Sequence, residues 1–419
     1  MSDHMFKLGN HLTSQQNRVL SAVQQAAAEA NISLYLTGGA VRDMFGGFPI
    51  RDLDFTVEGN ALKLAKAVSE QTGATIVQTD SNRKTSELLS PEGVTFEIGM
   101  ARVERFAKTG GKPQVTPATL HDDLLRRDFT VNALALSLNR ASRGLLLDPT
   151  NGIGDLEGKE IRTTNAYAFY DSPIRLMRLH RYQVRLGFTI AERTAAQLEN
   201  AREAGLESHI SQSELLSELR HAASEPNLAD VLQAWDEAGY LKLVTPGLTG
   251  AALNLPALVK LQKFRQSLPF GLELHSDDAA LFFSLLVEKL PSKDKAALAA
   301  LDKTGATAWS KLAGRASKLE KEIAAGNLQR PSKVYAFMSK APGELLLYLS
   351  LRSTQRVVQD RIRNYLNKYV PLAQEITDLQ VIEAGFKVGT TKFDKAKAEM
   401  IAKLLDAKPK KPEPESEIA

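Results

Sequence analysis

The sequence predicts a mixed α+β protein: an α/β head of about 160 residues followed by an all-helical remainder. Three observations predict it. Short β-type runs ending in glycine or Pro-Gly turns alternate with helical patterns up to about residue 160, and beyond that the β-type runs give way to patterns rich in Ala, Leu, Lys and Glu. A third, the length of 419 residues with 43% apolar content, provides for more than one core and excludes a disordered or collagenous chain.

In the head, Thr13 can cap a helix whose apolar positions Val19, Leu20, Val23, Ala26 and Ala27 share one face. Residues 34–37 (LYLT) read as a strand ending at Gly38-Gly39, residues 52–57 (DLDFTV) as a second strand, and residues 61–71 as a helix. Further strands are expected near 74–78, 87–89 and 94–98, the last two joined by the turn Pro91-Glu92-Gly93, and again at 131–137 and 145–147. Ser172-Pro173 is expected to start a helix, with Ser as N-cap and Pro at its first position.

Composition narrows the function. The chain has no cysteine, which removes thiol nucleophiles, disulfides and Cys-ligated metals and suits a reducing, cytoplasmic setting. The start of the chain lacks a signal-peptide core, and the longest apolar stretch, 279–287, is too short to span a bilayer, so no membrane role is expected. Net charge is only +4, but residues 226–419 hold 28 basic against 22 acidic groups, so the excess lies in the C-terminal half.

The chemistry concentrates at four places. On a strand, Asp52 and Asp54 project to one face while Leu53, Phe55 and Val57 project to the other, which brings two carboxylates within reach of one or two hard cations. A lone pair of this kind is more often a solvated strand edge; here a strand, the pair Gly38-Gly39 and Arg42 precede it, and glycines at a helix start let backbone N–H groups approach a polyphosphate. Phosphate cradle and metal carboxylates are the two parts that nucleotidyl transfer needs. Glu97 on a neighbouring strand can supply a third carboxylate, or lie on a hairpin surface. Arg126 and Arg127 open another strand, and Arg175, Arg178, Arg181 and Arg185 share one arc of the helix after Pro173. Alone that stripe would be a solvated face; beside the candidate site, binding of triphosphate and an RNA end is the better reading. The seven histidines are scattered and suggest no zinc site.

These residues resemble the class II tRNA nucleotidyltransferase and bacterial poly(A) polymerase family. LTGGAVRD (36–43) with RDLDFTV (51–57) looks like its catalytic motif, TFEIGMAR (95–102) like the strand of the third carboxylate and LLRRDFTVNALALS (124–137) like its RRDFTxNA motif. DPTNGIGDLEGKEIR (148–162) is similar to its hinge motif and DSPIRLMRLHRYQVRLGF (171–188) to its base-reading helix, with weaker similarity over 228–248 and 375–405. The resemblance implies a palm-like nucleotidyltransferase head with a mixed sheet at 1–160, a helical neck at 161–225, a tRNA-binding body at 226–370 and a helical tail at 371–406, before a disordered segment at 407–419. It implies template-independent addition of C and A to the 3′ end of tRNA from CTP and ATP with Mg²⁺, the acceptor arm of tRNA being the partner. Restricted CC-, A- or poly(A)-adding members are the alternatives, and a non-catalytic RNA-binding homologue is a more distant one. Carried over, Asp52 and Asp54 would bind metal with Glu97 in support, and Gly38, Gly39 and Arg42 would hold the triphosphate. Arg127, Arg175, Arg178 and Arg181 would contact the incoming nucleotide. Oligomeric state is not legible.

Two positions depart from the family pattern. Its base-reading motif has an acidic pair (E/D-D-x-x-R) where this chain has Asp171-Ser172-Pro173-Ile174-Arg175, and its E-R-I-x-x-E-L becomes residues 213–219, SELLSEL. Cytosine and adenine both offer an amino donor beside a ring-nitrogen acceptor, so a carboxylate and an arginine can read them together. With neutral Ser172 at the second acidic position, Asp171 or a water is expected to take part of the amino contact.

Overall fold

The computed structural model describes residues 3–407 apart from 270, 271, 273, 275 and 304. The segment 408–419 of the expected disordered terminus lies outside the described residues. Two compact units divide the chain, Met1–Leu215 and Leu216–Ala419.

The first unit begins with helices α1 (Asp3–His11) and α2 (Ser14–Glu29) and continues through β1 (Ser33–Thr37), α3 (Gly39–Gly46), β2 (Leu53–Glu58), α4 (Ala61–Thr72), β3 (Thr75–Asp80), β4 (Thr85–Leu89) and β5 (Thr95–Met100). Thr13 caps α2 as expected, in a reciprocal box in which its hydroxyl accepts from the Gln16 N–H while the Gln16 side chain accepts from the Thr13 N–H. A ribbon of β6 (Arg102–Arg105) and β7 (Gln114–Pro117), helix α5 (Leu120–Leu125), β8 (Ala135–Ser137) and β9 (Leu146–Leu147) complete the head.

Seven strands form one mixed sheet in the order β3-β4-β5-β2-β1-β8-β9, antiparallel throughout except for the parallel pair β2–β5. The alternation read in DLDFTV holds: Leu53, Phe55 and Val57 are buried with Phe96 and Ile98 on the face that packs against α2 and α4, and Phe55 meets Phe96 edge to face at 6.3 Å. That apolar face fixes register, because a one-residue slip would turn the carboxylates into the core. Pro91-Glu92-Gly93 does join β4 to β5.

Three expectations need correcting. Residues 131–137 are not one strand: Thr130–Asn132 is a 3₁₀ turn and only Ala135–Ser137 pairs with β1. Polar anchoring bends the chain there, since the Thr130 hydroxyl donates to Asp155 and the Asn132 amide to Asp128. Strand pairing also extends past residue 160, where β10 (Glu160–Ile161) runs parallel to β11 (Thr189–Ile190). The helix expected at Ser172 starts later. Between α6 (Gly152–Gly158) and α8 (Arg175–Leu186), residues Ala168–Asp171 form a short helix α7 that ends at Ser172, and Ile174 rather than Ser172 is the N-cap of α8. The unit closes with α9 (Glu192–Glu203) and the first residues of the next helix, Gln212–Ala223.

Gly152, the first residue of α6, is tightly packed. A Cβ there would overlap the Thr130 carbonyl, which is backbone and cannot swing away. Gly152→Ala is therefore expected to cost about 1–3 kcal/mol, as overpacking does, measured as a lower melting temperature.

The second unit is helical, and its apolar stretch is a core helix. Ala280–Leu286 are buried and pack against the helices Ala306–Ala324 and Gly343–Arg352, with Phe283 6.4 Å from Trp309 between ring centres. No helix among the described residues is long and apolar enough to cross a membrane.

Candidate active site

Register brings the predicted carboxylates together. Thr37, Asp54, Glu97 and Glu87 stand directly opposite one another across β1, β2, β5 and β4, so their side chains form one row on the face away from α2 and α4. Asp52 lies just before β2, exposed, two residues from Asp54. Glu87 is a member of the row that the sequence did not single out; the cross-strand pairing that reveals it is not contained in its own strand.

The row is crowded with negative charge. Burial, then the neighbouring Glu97 and Asp52 carboxylates, push Asp54 up to about 7 against the opposing pull of Arg127 and Arg42. Desolvation raises Glu97 as well, with the Arg102 and Arg127 guanidiniums opposing it. A site that penalises its own carboxylates in this way is relieved by a cation. Hard oxygen donors of this type suit a divalent ion, although no group of three or more His, Asp or Glu side chains that could hold a metal ion is formed among the described residues.

Gly38 stands at the end of β1 with φ +68°, a conformation that L side chains resist, and it precedes the first turn of α3. Its N–H donates to the Leu134 carbonyl at 2.9 Å. A Cβ at Gly38 would lie 2.7 Å from Arg127 Nη1 and 3.7 Å from Asp54 Oδ2, so this glycine is the point where the turn, the arginine and the carboxylate meet. Gly38→Ala is expected to cost about 1–2 kcal/mol of stability through backbone strain. The same Cβ would displace the Arg127 guanidinium from the turn.

Arg127 is held on several sides. Asp123, buried on α5, accepts from its Nη2 at 3.1 Å and also pairs with Arg126, while Thr56 accepts from Arg127 Nη2 at 3.3 Å and the Asn132 carbonyl from Nη1 at 3.4 Å. Burial opposes ionisation of Asp123, but Arg127 and Arg126 outweigh it and hold the carboxyl below the usual range. Asp123 was missed from sequence because one acidic residue in HDDLLRR looks like any other; burial alone distinguishes it from exposed Asp122.

The arginine stripe lies against the head, with Arg178 partly open to solvent. Arg185 Nη2 donates to Asp43 Oδ2 at 2.7 Å, Arg178 Nη1 stands 3.7 Å from Asp128 Oδ2, and the Arg181 guanidinium lies 4.7 Å from the ring centre of Tyr182. Arg175 is buried and donates to the carbonyls of Ala168 (3.2 Å) and Arg126 (2.7 Å). Arg42 is likewise buried, bonded to Asp43 and to the Asn132 side chain, with Tyr182 5.2 Å away. Gly39 begins α3 beside these groups. Asp171 and Ser172, both half-buried, sit where α7 ends; burial raises Asp171, with Arg175 opposing, and the Ser172 hydroxyl does not cap α8.

Residues 34–162 match the family model of the poly A polymerase head domain. Over 339 residues, 80% of this chain and 40% of the relative, the chain is 29% identical to an A-adding tRNA nucleotidyltransferase of Aquifex aeolicus (strain VF5). It is 36% identical over 195 residues to the A-adding tRNA nucleotidyltransferase of Halalkalibacterium halodurans, covering 46% of this chain and 45% of that one. The chain thus spans less than half the length of these curated relatives. Among solved structures, a tRNA nucleotidyltransferase complexed with a primer tRNA and an incoming ATP analog superposes with TM-score 0.53 at 27% identity, over 84% of this chain and 99% of that one. An apo CCA-adding enzyme shares the fold at TM-score 0.55 and 22% identity, over 98% of this chain and 96% of that one.

Proposed function

We propose, from the match of residues 34–162 to the poly A polymerase head domain model, that the chain is a tRNA nucleotidyltransferase that adds C and A to the 3′ end of tRNA from CTP and ATP. The carrying observation is the convergence at Gly38 of Asp54, in its row of carboxylates, with the anchored Arg127. A cytoplasmic enzyme acting on the acceptor arm is the consistent setting.

Asp52 and Asp54, supported by Glu97, are the proposed holders of divalent ions, Mg²⁺ being the expected one. When bound, such ions lower the pKa of the attacking 3′-hydroxyl and neutralise the triphosphate. Gly38 and Gly39 let the triphosphate approach the start of α3. Arg127 and the half-exposed Arg178 face its charge, and the buried Arg42, Arg175 and Arg181 supply positive field and hold the helices in place.

Base choice is assigned to Asp171 and Ser172, with the buried Arg175 holding the segment that carries them. A charged acceptor is the stronger partner for the amino group that cytosine and adenine share, so Asp171→Asn should weaken discrimination against UTP and GTP by about tenfold, the worth of one charged hydrogen bond. The check is the ratio of kcat/KM values for the four nucleotides.

A-only addition is the second reading, favoured by the names of the curated relatives. tRNAs ending before the first C, after the first C and after CC, each offered every nucleotide in turn, separate the two. Full CCA addition predicts extension of all three, and A-only addition predicts extension of the CC-ended tRNA by ATP alone.

A further inference from the structure

We propose that Tyr167 and Tyr170 form a stacking platform for the terminal bases of the RNA that accepts the new nucleotide; this rests on the nucleotidyltransferase reading above. Both rings are conspicuous for a chain with 6% aromatic residues, with Tyr167 70% and Tyr170 39% exposed. They flank buried neighbours, Ala168 and Phe169, which anchor the short helix α7 while the tyrosines three residues apart turn outward together. The Tyr167 N–H is pinned by the Asn165 side chain at 2.9 Å.

The platform is tied to the site at both ends. Before it, the Thr164 hydroxyl donates to the Arg127 carbonyl at 2.5 Å and the Thr164 N–H to the Asp128 carbonyl at 3.2 Å. After it, Arg175 bridges the Ala168 and Arg126 carbonyls. The two rings therefore sit on a segment fastened to Arg126–Asp128, whose Arg127 side chain reaches Gly38 beside Asp54. Aromatic faces beside cations are the chemistry of single-stranded nucleic acid binding, in which rings take the bases and guanidiniums the backbone.

Stacking also suits what this position must do. The incoming base is chosen and needs hydrogen-bond readers, but the acceptor end changes its base after each addition, so its platform must tolerate any base. A π-face does so where a hydrogen-bonding pocket does not.

The test uses the full chain with a tRNA transcript ending in 2-aminopurine and no nucleoside triphosphate, so that base stacking is read as fluorescence quenching and binding without turnover. Quenching is expected with the natural sequence. In the double variant Tyr167→Ala/Tyr170→Ala quenching should vanish and RNA binding weaken by about tenfold or more, while KM for CTP and ATP is unchanged and the Phe variants match the natural protein. Unchanged RNA binding in the double variant, Phe variants as weak as the Ala ones, or a rise in KM confined to the triphosphate would each overturn the platform. A protein that quenches the probe but incorporates no nucleotide would instead overturn the enzymatic reading and leave the platform standing.

Discussion

Asp54→Ala is expected to reduce nucleotide incorporation into tRNA by about 10³-fold or more, because the several kcal/mol that a bound ion contributes to charge stabilisation correspond to that factor in rate. The same variant should not lower the melting temperature. Asp54 lies in a row where burial and the Glu97 and Asp52 carboxylates disfavour its charge, so removing it relieves repulsion that the fold otherwise carries. Loss of activity without loss of stability is the signature of a group retained for chemistry. Incorporation of labelled nucleotide, paired with thermal unfolding, reads both; normal incorporation by Asp54→Ala would remove the metal assignment.

Asp123→Ala should show the opposite balance, with stability lost as well as activity. Its carboxylate is almost fully buried between two guanidiniums, and removing one partner of a buried pair costs about 3–5 kcal/mol. Because Arg126 and Arg127 each retain some solvent, the lower end is expected. For a unit of this size that corresponds to a melting temperature about 6–12 °C lower. Activity should fall too, since Arg127 loses the anchor that aims it at Gly38. The carboxyl is held below its ordinary value, so its contribution is complete above the unfolded value of about 3.9 and is lost as pH falls through the lower folded value. The difference in melting temperature between the natural protein and Asp123→Asn should therefore hold constant across neutral and mildly acidic pH and narrow only below about pH 4. A difference that vanished near neutrality would show that Asp123 is not the buried anchor.

Much of the head was legible because its signals are local. Periodicity of two separates Leu53, Phe55 and Val57 from Asp52 and Asp54, Thr13 marks the start of a helix as its cap, and the Gly38 turn announces itself by residue type. The arginine stripe of α8 was legible as a stripe but not in its direction. Helical spacing says that Arg175, Arg178 and Arg185 share an arc; it is Asp43 and Asp128, both remote in sequence from α8, that turn the arc inward. Ser172 misled for a similar reason. Ser-Pro is a good helix start in isolation, and the preceding short helix that ends there, braced by the Arg175 bond to Ala168, is a contact that residue type does not encode.

By itself, then, the sequence determined the order of elements, the two faces of β2 and the residue types needed for phosphate and metal, because each follows from spacing along one segment. The tertiary structure decided which of those residues meet. Parallel pairing of β2 with β5 sets Glu97 opposite Asp54, antiparallel pairing adds Glu87, and burial selects Asp123 rather than Asp122 as the anchor of Arg127. Such choices depend on strand register and on which charges lose their water, and both are properties of segments brought together from distant parts of the chain.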